Sequence, residues 1–91
     1  MFTLDDRIML VDLSNFSLGA TITVYEVGII MLRHTVLDVS EVKEKVIEIV
    51  EEMEVKHVFI KPLATSDRAK TLEDFKNSFS KNIDKINLHV L

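Results

Sequence analysis

The chain has no cysteine, a single proline and two glycines in its 91 residues. Without cysteine there is no disulfide, no thiolate nucleophile and no zinc site of the thiolate kind, a usage that suits a reducing cytoplasm. No apolar run reaches the ~20 residues that a membrane span needs. The stretch from Met1 to Leu13 is interrupted by Asp5, Asp6, Arg7 and Asp12, so neither a span nor an export signal is expected, and the chain reads as a soluble, cytoplasmic protein. Basic charge is in deficit as well. Eleven Lys and Arg stand against 15 Asp and Glu, a net charge of −4, which argues against a broad phosphate-binding surface. Repeats and low-complexity tracts are lacking too, and the length leaves room for one core, because domains run to about 100–150 residues. Residues 1–91 therefore read as one domain.

Apolar periodicity supplies the elements. Arg7 to Leu13 is nearly continuously apolar up to Asp12, as in a central strand buried on both faces. Ala20 to Glu26 alternates small or apolar with polar residues, the period of a half-buried strand. Gly28 offers a turn with φ > 0 into a third apolar run, Ile29 to Leu37. At Asp38 the period changes. Asp38 and Glu41 have capping-box spacing, and Val42, Val46, Ile49, Val50 and Met53 recur every three or four residues, which predicts a helix with Glu41, Glu44, Lys45, Glu48, Glu51 and Glu52 on its solvated side. His57 to Lys61 is a short strand closed by Pro62. Ser66 or Asp67 can cap a second helix with an apolar stripe of Ala69, Leu72, Phe75, Phe79 and Ile83, and Asn87 to Leu91 reads as a fifth strand.

The order β-β-β-α-β-α-β predicts an α/β fold with a mixed five-stranded sheet, strand one central and strands one, four and five parallel. Ligands in such sheets collect beyond the carboxyl ends of the strands, where the direction of building reverses. Asp12 is expected there, facing Pro62 and the loop Ala64 to Asp67. The candidate binding residues around it are Ser14 and Asn15 after strand one, and Lys61, Thr65, Ser66 and Arg68 after strand four.

The stretch VDLSNFSLGA, Val11 to Ala20, resembles the opening motif of the YqgF group of RuvC-like resolvases, also described as precursor ribosomal RNA nucleases. In that group an aspartate ends strand one, a Gly-Asp pair follows, and a further glycine opens strand two; Asp12, Asn15 and Gly19 have that spacing. VFIKPL, Val58 to Leu63, is similar to the family's apolar strand ending in Leu-Pro-Leu. RAKTLEDF, Arg68 to Phe75, looks like its Arg-Ala helix start. The resemblance implies an RNase H-like (RuvC-like) fold and a nuclease ancestry, with Asp12 as the catalytic carboxylate and metal ligand for Mg2+ or Mn2+.

Several departures bear on that implied activity. Ser14 stands where the family has glycine, and Asn15 where an acidic residue is usual. Lys61 stands where RuvC-type resolvases place a glutamate. The family's second acidic residue belongs to an Asp-Glu-Arg motif after strand five, and the third to a later helix; the sequence ends at Leu91, before either, so the C-terminal helix is expected to be lacking. Two-metal phosphodiester hydrolysis needs several converging carboxylates to hold cations about 3.5–4 Å apart, and Asp12 is one.

Other candidates reduce to ordinary roles. Asp38 and Asp67 read as helix caps. His34, His57 and His89 fall on three different strands, without the i,i+4 spacing of paired helical ligands. Lys56, Lys61, Arg68 and Lys70 could line a basic lip for nucleic acid, although such scattered cations usually serve as solvating charge. Two readings stand. One is a domain of nuclease ancestry with an incomplete metal site, requiring no cofactor and acting as an interaction or assembly module. The other is a metal-dependent nuclease on structured RNA or DNA whose site another chain or subunit completes. Strand one has Ile8 and Leu10 on one side and Met9 and Val11 on the other, and two helices cover little more than one sheet face, so a homodimer or larger homo-oligomer is expected.

Overall fold

A computed structural model describes residues 7–14, 19–62, 67–78 and 86–91. Among these the elements run β1 (Arg7–Asp12), β2 (Ala20–Glu26), β3 (Ile29–Val36), α1 (Val39–Met53), β4 (His57–Lys61), α2 (Arg68–Ser78) and β5 (Asn87–Val90). The sheet order is β3-β2-β1-β4-β5. β1 pairs antiparallel with β2, and β2 with β3, while β1–β4 and β4–β5 are parallel. This is the mixed sheet expected, with β1 at its centre.

Chain direction then dictates where the helices go. The crossover from β3 to β4 and the crossover from β4 to β5 step the same way across the sheet between parallel strands. Right-handed connections place both helices on one face. On that face Met9 and Val11 of β1 are fully buried beside Ile22 and Val24 of β2 and Val58 and Ile60 of β4. Val42, Val46, Ile49 and Val50 of α1 and Phe75 of α2 close the same core. Each such side chain contributes roughly 1.5–3 kcal/mol by burial. The opposite face carries Ile8, Leu10 and Asp12 of β1 in register with Tyr25, Thr23 and Thr21 of β2, and with His57, Phe59 and Lys61 of β4. Ile8 and Leu10 are half-buried, so β1 is sealed on one face, not on both as its apolar run suggests.

The first helix is fixed at both ends by backbone chemistry. The Glu41 N–H donates to the Asp38 carbonyl at 3.0 Å. At the other end Glu54 takes a left-handed conformation (φ 54°), and the Val55 N–H returns to the Val50 carbonyl at 3.2 Å, closing a Schellman cap whose two outer residues are both buried. The last turn has no basic residue of its own. Arg7 supplies one from β1, donating from Nη1 to the Met53 carbonyl at 2.5 Å, and its Nε lies 3.7 Å from Glu26. In α2, Asp67 is the N-cap: its Oδ1 accepts from the Ala69 and Lys70 N–H groups at 2.9 and 3.4 Å. Ala69 is exposed, so the apolar stripe begins at half-buried Leu72 and centres on Phe75; Ser66, Phe79 and Ile83 lie outside the described residues.

The β2–β3 connection is a two-residue hairpin between the paired residues Glu26 and Ile29. Both central residues have positive φ, 53° at Val27 and 77° at Gly28, as a type I′ turn requires. Glycine accepts that conformation, whereas a β-branched valine is strained in it by roughly 1–2 kcal/mol. Gly19 (φ 93°) is needed for a further reason: a Cβ there would meet the Val36 carbonyl oxygen at 2.7 Å.

Urea denaturation separates these contributions by sign. Val46→Ala and Phe75→Ala are expected to lower stability by about 2–5 kcal/mol through cavities in the core. Val27→Asn is expected to raise it by about 1 kcal/mol, because asparagine tolerates the left-handed region. Near-zero effects at Val46 and Phe75 would contradict the helix faces described.

Candidate functional site around Asp12

Asp12 ends β1 at the carboxyl edge of the parallel strands, on the face away from the helices, and is half-buried. Its register partners are Thr21 on β2 and Lys61 on β4. The chain then turns at once. The Leu13 N–H donates to the Lys61 carbonyl at 2.8 Å, extending the β1–β4 ladder by one rung, and Ser14 folds back over the carboxylate. Asp12 Oδ1 accepts from the Ser14 N–H at 2.9 Å and from the Ser14 hydroxyl at 2.5 Å. This is the turn geometry by which an aspartate satisfies the backbone that follows it.

These contacts favour the charged form of the group. The Ser14 hydroxyl holds the Asp12 carboxyl below the usual carboxylate range; partial burial pushes the other way, and the Ser14 N–H and the Lys61 ammonium lower it further. The site therefore presents one ionised carboxylate, a hydroxyl already committed to it, and a cation. Such a donor set does not fit a pair of divalent cations, which requires converging carboxylates. Among the described residues no group of three or more His, Cys, Asp or Glu side chains could hold a metal ion.

The other predicted site residues distribute unevenly. Ser14 and Lys61 sit beside Asp12 as anticipated. Asn15, Thr65 and Ser66 lie outside the described residues, as does the side chain of Arg68, whose backbone opens α2. Two of the basic-lip residues stand at opposite ends of β4. Lys56 precedes β4 and Lys61 ends it, about 16 Å of extended chain apart. Asp67 is engaged as the cap of α2.

The histidines part company in an informative way. His34 lies on edge strand β3, on the helix side. His57 and His89 share the opposite face, where period-two alternation also puts Phe59. The Phe59 and His89 rings stack with centroids 4.7 Å apart and planes inclined by 16°, and His57 follows at 6.4 Å from His89. In the sequence the three histidines fall on different strands without ligand spacing, and nothing there joins His89 to Phe59. The signal that joins them is the parallel register of β4 and β5, which pairs Phe59 with His89.

No protein-family model, curated protein or solved structure matches the chain. No described helix is long and apolar enough to cross a membrane.

The lowered Asp12 pKa makes a signed pH prediction. Because the folded-state pKa lies below the unfolded value of about 3.9, the ionised group stabilises the fold above that value, and the contribution is lost as pH falls through the folded pKa. Asp12→Asn is expected to cost at most about 1–2 kcal/mol at neutral pH, since the amide oxygen still accepts from Ser14. The gap to the wild type should close in acid. A gap that is constant from pH 7 to acid would contradict this role for Asp12.

Proposed function

We propose that this chain is an RNase H-like domain of YqgF and RuvC-like ancestry that serves as an interaction or assembly module and has no nuclease activity of its own. The supporting observation is the occupation of Asp12. Its carboxylate is bonded by Ser14 and stands in register with Lys61, where a two-cation site calls for a second carboxylate. The sheet order β3-β2-β1-β4-β5, with both helical crossovers on one face, supports the ancestry at the level of architecture.

Assembly is favoured by the distribution of apolar surface. Both helices pack on the Met9 and Val11 side, leaving Ile8, Leu10, Tyr25 and Phe59 on the other. A self-complementary, two-fold contact between two such faces covers them without a second protein. The module requires no cofactor and works as a homodimer or larger homo-oligomer in the cytoplasm.

The experiment is a cleavage assay on branched DNA and on precursor ribosomal RNA with Mg2+ or Mn2+. No turnover is expected from the purified chain. Cleavage that vanishes in Asp12→Asn but persists in Glu73→Gln, a change on the exposed face of α2, would overturn the module reading in favour of a nuclease.

A further inference from the structure

The β3 side of the molecule offers a second binding surface, formed by an open strand edge beside an acidic helix. Among the described residues β3 is an edge strand, hydrogen-bonded to β2 alone. A bulge opposite Val24 and Tyr25 disturbs its first residues, but from Leu32 to Val36 the pairing with β2 is regular. The outer backbone groups of that stretch face away from the sheet, which makes them a template for another strand. Leu37, just beyond, is 80% exposed.

A groove of about 730 Å³ runs between this edge and α1. Its strand wall includes His34 and Leu37, and its helix wall carries Glu41, Glu44, Glu48 and Glu51. One lysine, Lys45, lies among them, 3.5 Å from Glu48. The helix wall is about as long as the regular stretch of β3 from Leu32 to Val36. Glu41 to Glu51 rises about 15 Å along the helix, the span of roughly five residues of extended chain. A strand added to β3 would send every second side chain over α1 at a spacing of about 6.6 Å, so three of them span the about 15 Å along which the helix sets out its four carboxylates.

From this juxtaposition we propose that the β3 edge and the acidic face of α1 bind an extended segment of a partner protein that carries Lys or Arg at alternate positions. Main-chain bonds to β3 hold the segment, and its basic side chains meet the α1 carboxylates. The sign of the groove excludes nucleic acid. It also disfavours a second copy of this chain, whose net charge is −4 and whose own α1 acids a β3-to-β3 pairing would bring alongside. The inference rests on the module reading and names the partner that such a module takes.

The test is fluorescence anisotropy with a labelled synthetic peptide, Thr-Lys-Val-Lys-Val-Lys-Thr. Saturable binding is expected, at least tenfold weaker in the Glu44→Lys, Glu48→Lys double variant, whose changes are on exposed positions. A peptide N-methylated at alternate amides keeps its charges but cannot complete the ladder, and is expected to bind at least tenfold more weakly to the wild type. Equal binding of the N-methylated peptide would overturn strand addition, a result that needs no protein variant. Absence of binding by the parent peptide would overturn the proposal, as would a double variant that dissociates the protein's own oligomer while binding the peptide normally. Failure here with the protein inert as a nuclease sinks the groove alone. Nuclease activity in the wild type sinks the module reading and leaves the peptide result standing.

Discussion

The handedness of two crossovers governs this molecule. Because β3 to β4 and β4 to β5 both step in the same direction between parallel strands, α1 and α2 must share a face. All of the tight core follows from that. Met9, Val11, Ile22, Val24, Val58 and Ile60 are sealed because they point toward the helices, and Ile8, Leu10 and Phe59 are only half-buried because they alternate with them. Among the described residues the buried hydrophobic core lies between one side of the sheet and the two helices. The other side carries apolar and aromatic residues without a helical layer among the described residues.

The same asymmetry decides what the end of β1 can do. Asp12 alternates onto the face without helices, so its surroundings are set by Ser14, by Thr21 across β2 and by Lys61 across β4. A hydroxyl and an ammonium keep one carboxylate charged; they do not gather cations. The carboxylate at the end of β1 fastens the turn out of the central strand. Two surfaces lie apart from that carboxylate: the sheet face bearing the Phe59–His89 stack, and the β3 edge with its acidic helix.

Much of this architecture was legible in residue periodicity. The bounds of β2 and β4 and the start of α1 follow from alternation, from the change of period at Asp38 and from Pro62, because burial acts through those spacings. The central position of β1 follows from its apolar run. What could not be read is what depends on contact between distant segments. The apolar run of β1 does not say that one of its faces lacks a helix, and Ile29 to Met31 look like core until β3 is known to be an edge. Val27 at positive φ is invisible to a rule that assigns turns to glycine, since it is Gly28 beside it that permits the hairpin. At the site, Asp12, Ser14 and Lys61 were found from their positions at strand ends, whereas the Phe59–His89 stack required the parallel register.

The proposal that Ile8 and Leu10, half-buried on the face without a helical layer among the described residues, are covered by a second copy can be read from methyl signals in a soluble paramagnetic relaxation agent. At high dilution the agent is expected to broaden the Ile8 and Leu10 methyls while Val11 and Ile22 stay sharp. On concentration into the submillimolar range, Ile8 and Leu10 should become protected, and the rotational correlation time should rise with them. Protection of Ile8 and Leu10 that is already complete at high dilution, in a particle of monomer size, would contradict the account.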